Sequence, residues 1–138
     1  MFILLWVTVL IYRVLNRKVI RNSTICCLTR GYDTVNKYRI LIKRNRALAR
    51  NPWAFDYKHV IFHEGNIPQK HQQYIQSKSD LPLTFVDISD TFFREFPPEH
   101  PEICGVCKEW QHMGYKRMCR FWFVDFWNYV KQYDYIFR

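Results

Sequence analysis

The turn Leu28-Thr29-Arg30-Gly31 is the first place where residue type and position together point to chemistry. It follows an apolar run and leads toward a helical pattern. A tight turn of this kind aims backbone N–H groups and the positive end of a helix dipole at an anion. The same residues also make an ordinary strand-to-helix connection, and composition alone leaves both readings open. Glu64 closes a second apolar run, where a carboxylate can either touch a ribose or cap the following helix. Arg117 and Arg120 lie three apart on one edge of a long helical stretch. An arginine there pairs either with a diphosphate or with a buried carboxylate such as Asp125 or Asp134.

Other arrangements carry less. Cys104-Gly105-Val106-Cys107, with His100 and His112 nearby, has partial zinc-ligand spacing but no second pair. Cys26 and Cys27 are adjacent on a strand-like run and would point to opposite faces. The chain has no Gly-x-Gly-x-x-Gly and no Gly-Lys-Ser/Thr phosphate loop. No Ser-His-Asp or Cys-His arrangement stands out. Asp87-Ile88-Ser89-Asp90 separates its acids by two residues and so is not an Asp-x-Asp.

The elements that must position these residues alternate along the chain. Residues 24–29 suit a buried strand, Gly31 permits a turn, and Asp33 is placed to cap the next helix. Val35, Tyr38, Leu41, Ile42, Asn45, Leu48 and Ala49 then recur at helical spacing. The opposite face carries Lys37, Arg39, Lys43, Arg44, Arg46 and Arg50, and Asn51-Pro52 ends the helix. A second strand is predicted over 57–63, a helix over 68–78 with Pro68 in its first turn, and a third strand over 83–88. Residues 89–112 read as irregular, with Pro97, Pro98 and Pro101 barring regular structure. A long helix over 114–131 buries Tyr115, Met118, Cys119, Trp122, Phe126, Tyr129 and Val130, and a strand over 134–137 comes after it. Short strand–helix–strand connections imply parallel pairing. The expected fold is therefore α/β, a Rossmann-like parallel sheet whose ligands sit at the carboxyl ends of the strands. That places the candidate site at loops 29–33 and 63–66 and at residues beyond Arg138.

The 138 residues suit one domain over 23–138, preceded by a hydrophobic segment over 1–22. Apolar residues make up 49% and aromatics 18%, which excludes a disordered chain. The 21 basic against 12 acidic residues leave a net charge of +9. Such a balance favours nucleic acid, an acidic membrane surface or phosphorylated small molecules. Five cysteines without a framework argue against a disulfide-stapled secreted module. Residues 1–12 are uncharged and Arg13, Arg17, Lys18 and Arg21 come next, the pattern of a short helical signal-anchor and of a membrane-associated protein, with a buried strand or a start upstream of the real domain as the other readings. Basic residues after the apolar run place the domain in the cytosol by the positive-inside rule.

Tyr115-Lys116-Arg117-Met118-Cys119-Arg120-Phe121, followed by Tyr133-Asp134-Tyr135, resembles the fungal α-1,2-mannosyltransferase family and its distant viral and protist relatives. The resemblance covers roughly residues 23–138 and implies a GT-A-fold glycosyltransferase that moves a sugar from a sugar nucleotide to a glycan or glycoprotein acceptor. Mannose is the sugar it suggests. It further implies that Thr29, Arg30 and Gly31 contact the nucleotide, with Glu64 and Arg120 as further candidates. It implies a divalent cation, Mn or Mg, held by an acidic motif after the last strand, so that the ligands lie outside these 138 residues. Membership would also place the domain in a lumen, opposite to the charge rule. Two other expectations stand beside it: a basic nucleic-acid-binding module, supported by the cationic face of 34–50 although that face is also what any surface helix requires, and a catalytically inactive truncated remnant.

Overall fold

The computed structural model describes residues 22–95 and 113–138. Strand β1 spans Ser23–Thr29, β2 Lys58–His63, β3 Leu83–Asp87 and β4 Tyr135–Phe137. All pairings are parallel and the spatial order is β3-β2-β1-β4. The chain thus winds outward from β1 to β2 and β3, then crosses back to β4 on the other side of β1. That reversal beside β1 is the topological switch at which open α/β sheets bind their ligands.

Alternation along the strands divides the core in two. Helices α1 (Arg39–Ala49) and α2 (Gln69–Ser77) cover one face. There Leu41, Ile42 and Ile75 pack with Tyr38, Ile61 and Ile67. Cys27 and Phe85 join this side, while Cys26 and Val86 join the other, as the two-residue period requires. The second face holds Val60, Phe62, Phe121, Phe126 and Val130. Phe62 sits edge-on to Phe121, Tyr129 and Phe126 at 5.3, 5.6 and 5.9 Å between ring centroids. Such pairs contribute about 0.5–1.5 kcal/mol each beyond burial.

Several expected boundaries move. The predicted first helix begins as a 3₁₀ turn, Val35–Tyr38, before α1. Asp33 does not cap it. Thr34 is the N-cap residue without a side-chain bond, and Asp33 instead pairs with Lys37 at 3.6 Å. Pro68 stands at the N-cap of α2, where its carbonyl accepts from His71 and Gln72. The stretch after β3 is not wholly irregular, because Ser89–Phe92 forms the short helix α3.

The largest departure lies in the predicted 114–131 helix. It runs as α4 (Met113–Arg120), a π turn (Phe121–Asp125) and α5 (Trp127–Val130). Phe126 N–H donates to the Phe121 carbonyl at 2.8 Å, five residues back. This extra residue widens the inward stripe, which keeps Phe126, Tyr129 and Val130 at the core. Phe121 and Asp125 become buried, whereas Tyr115 is exposed. The predicted N-terminal helix over 1–22, and Cys104, Cys107, His100 and His112 of the zinc reading, lie outside the described residues save Asn22. Among the described residues no helix is long and apolar enough to cross a membrane.

Candidate functional site

Three loops meet at the carboxyl edge of the sheet. After β1 comes Arg30-Gly31, after β2 Glu64-Gly65-Asn66, and after β3 Ile88-Ser89. Their contacts interlock. Gly31 N–H donates to Asn66 Oδ1 at 2.7 Å. A methyl group on Gly31 would fall on the Asn66 carbonyl oxygen and come within 2.7 Å of its Cγ. Gly65 has a φ of 76°, the left-handed region that glycine enters without penalty. Its N–H donates to His63 Nδ1 at 3.2 Å. The His63 carbonyl accepts from Ile88 N–H at 2.9 Å, and Asp87 Oδ1 accepts from Ser89 N–H at 2.8 Å.

A second network fixes the β1 turn from below. Tyr32 N–H donates to the Tyr38 hydroxyl at 3.0 Å, and that hydroxyl shares a hydrogen bond with His71 Nδ1 at 3.2 Å. Burial pushes the Tyr38 phenol up, so it stays neutral. The Arg30 guanidinium lies over the Tyr32 ring at 5.2 Å. Arg30 is exposed and Thr29 half-buried. Beside this turn is a depression of about 200 Å³ lined by Thr29, Tyr32, Lys37, Ile40 and Arg44 among others.

Electrostatics at this edge follow from burial. His63 is buried and its pKa is lowered by desolvation, with Asp87 opposing. Asp87 is held below the usual carboxylate range by hydrogen bonds from the backbone and side chain of Ser89. Position alone therefore gives this edge a neutral imidazole, an ionised carboxylate and an exposed guanidinium.

Thr29, Arg30, Gly31 and Glu64 accordingly stand on two adjacent loops of one edge. Glu64 does not cap α2, whose N-cap is Pro68. Its carboxylate instead takes a long 3.5 Å bond from Asn66 Nδ2. Arg120 is elsewhere, on α4. It donates to the carbonyls of Arg94, Thr91 and Phe92 at 2.7, 2.8 and 3.1 Å, and its Nε faces Asp125 Oδ2 at 3.3 Å. Of the two roles open to Arg120 in the sequence, its contacts fill the buried-carboxylate one, with Asp125 rather than Asp134. Arg94 completes this arrangement, 2.8 Å from Asp125 Oδ1.

The β3 loop, Lys37 and Arg44 join the site only in the fold. In the sequence Asp87 and Ser89 are visible just as a failed Asp-x-Asp, and nothing local signals that they meet Gly65. Among the described residues no group of three or more His, Cys, Asp or Glu could hold a metal ion.

Comparison of the chain with protein-family models, curated proteins and solved structures finds no match.

Proposed function

We propose that this chain is a GT-A-type glycosyltransferase, or the nucleotide-binding part of one, that transfers a sugar from a sugar nucleotide to a glycan or protein acceptor. The observation that carries the reading is the β3-β2-β1-β4 parallel order, with the Thr29–Gly31 turn locked beside the switch point. Mannose as the sugar, Mn or Mg as the cation, a membrane-associated N-terminus and a lumenal or cytosolic setting remain expectations of the sequence, and the metal ligands would lie outside the described residues. When bound, such a cation neutralises the leaving diphosphate.

In this reading Arg30 supplies a charge-assisted hydrogen bond to the diphosphate, where negative charge gathers as the glycosidic bond breaks. Thr29 offers a hydroxyl. Gly31, lacking a side chain, lets the turn stay close to Asn66 and present its backbone. Glu64, on the neighbouring loop, is placed to accept from a ribose. Arg120 acts as a positioning residue, holding α3 and so the β3 loop.

Calorimetric titration with GDP-mannose and UDP-glucose, with Mn²⁺ present, tests the idea. A charged hydrogen bond contributes about 1.5–3 kcal/mol, so Arg30→Ala should weaken binding about ten- to a hundredfold. Failure of both sugar nucleotides to bind, or binding indifferent to Arg30→Ala, would overturn it.

A further inference from the structure

Away from the carboxyl edge, Arg39, Lys43, Arg46 and Arg50 recur along α1 and its C-cap at steps of four, three and four residues. That spacing makes a single row, and at the α-helical rise it is about 16 Å long. All four are exposed. With Lys78 and Tyr74 from the α2 side they line a groove of about 540 Å³. Arg46 Nε donates to the Lys78 carbonyl at 3.4 Å, which draws its guanidinium toward the α2 wall.

The row is not balanced by acids. Residues 34–55 contain no Asp or Glu, and none lines the groove. Among the described residues no ion pair includes a cation of the row. An acid four residues from a base stabilises a helix, whereas like charges at that spacing repel. A merely solvated face has no need of three successive repulsive steps.

We propose that this groove binds a single strand of nucleic acid through its phosphates. Successive cations rise by about 4.5–6 Å along the helix axis, so a strand laid along the row can bring one phosphate after another to a cation. A bilayer surface fits less well, because membrane-seated helices push apolar side chains outward between cations. Here buried Ile42 lies on the floor and the charges form the rim, and the exposed apolar side chain of α1, Ile40, lines the depression by the β1 turn and not this groove. A duplex fits less well too, since its readers insert a protruding element into a groove of the DNA. Cations around a recess that also offers apolar and aromatic surface match single-strand binders. The residues differ from those of the carboxyl-edge loops, so this proposal and the glycosyltransferase reading fail separately.

The test is fluorescence anisotropy of a labelled oligothymidylate with the full chain at about 50 and about 200 mM salt. Five phosphate contacts on a single strand predict about a hundredfold loss of affinity across that range. Charge reversal of Lys43 and Arg46 together should weaken binding at low salt and cut the salt effect to about twentyfold. Reversal of Lys58 and Lys131, exposed residues outside the groove, changes net charge equally and should leave the salt effect intact. Lys43→Gln with Arg46→Gln should show the same trend if the reversal disturbs folding. Absence of oligonucleotide binding would overturn the proposal, as would equal losses in the two reversal pairs. Groove-dependent binding to phosphatidylserine vesicles without oligonucleotide binding would overturn it in favour of a lipid surface.

Discussion

Gly31→Ala isolates the contact on which the candidate site depends. Among glycines of the described residues only Gly65 has a positive φ, so alanine meets no conformational penalty at Gly31. Its methyl group meets Asn66 instead, at 2.5 Å from the carbonyl carbon and 2.7 Å from Cγ. The first of these is backbone and cannot rotate away. The two loops must part, which also breaks the 2.7 Å bond from Gly31 N–H to Asn66 Oδ1. Overpacking costs about 1–3 kcal/mol and a lost hydrogen bond about 0.5–1.5 kcal/mol, so the sum is about 1.5–4.5 kcal/mol. For a chain of this size that lowers Tm by roughly 6–18 °C. Thermal unfolding followed by circular dichroism reads it directly. Asn66→Ala separates the contributions, since it removes the acceptor and Cγ while leaving the backbone in place, and should lower Tm by about 4 °C. A Gly31→Ala protein melting within about 2 °C of the parent would mean that the loops are not in contact, and the case for a preformed edge would be lost.

Asp125→Asn removes the negative charge between Arg120 and Arg94, whose side chains are 10% and 59% exposed. Breaking a buried pair costs about 3–5 kcal/mol, and Arg94 recovers part of that from water, so a urea midpoint shift equivalent to about 2–3 kcal/mol is expected. An unchanged midpoint would show that the carbonyls alone hold Arg120. His59 and His63 both have folded pKa values below 6.5, chiefly through desolvation. The unfolded chain therefore takes up protons first, and stability should be level above about pH 6.5 and fall below it. The slope reaches at most about 1.4 kcal/mol per pH unit for each histidine. Urea midpoints between pH 7.5 and 5 check this, and His59→Gln should remove about half the slope. A midpoint that does not move over that range would refute the assignment of both imidazoles as neutral.

Sequence periodicity carried most of the fold because both faces of the sheet obey it. Cys26 and Cys27 part to opposite cores, and the apolar stripe of α1 does bury Leu41, Ile42 and Asn45. It was incomplete at the π turn, which adds Phe121 and Asp125 to the buried side while Phe126 and Val130 stay in the core as expected. Nothing in Phe121–Asp125 announces such a turn, and its consequence is that Asp125 becomes a buried ion-pair partner. The loop residues of the candidate site were half legible. Thr29–Gly31 and Glu64 stood out because each ends a strand pattern. Asn66, Asp87 and Ser89 did not, because their importance comes from strand order, which sets three loops side by side, and not from any local signal. The Tyr32–Tyr38–His71 relay was hidden for the same reason, since it joins residues 33 apart.

The interlocked loops bear on how the site responds to pH. His63 Nδ1 accepts the Gly65 N–H, so the neutral ring carries its proton on Nε2. Protonation would place a hydrogen on Nδ1, where it would meet the Gly65 N–H head on. Gly65 could then no longer anchor the turn that brings Asn66 to Gly31. The His63 carbonyl simultaneously holds Ile88, so the same residue ties the β2 loop to the β3 loop. Loosening at one imidazole thus reaches both neighbouring loops without passing through the hydrophobic core. Ligand affinity at this edge should therefore weaken over the same pH interval as stability, and ahead of global unfolding. Substituting His59, which bonds to Ala54 well away from the edge, should change stability while leaving that affinity in place.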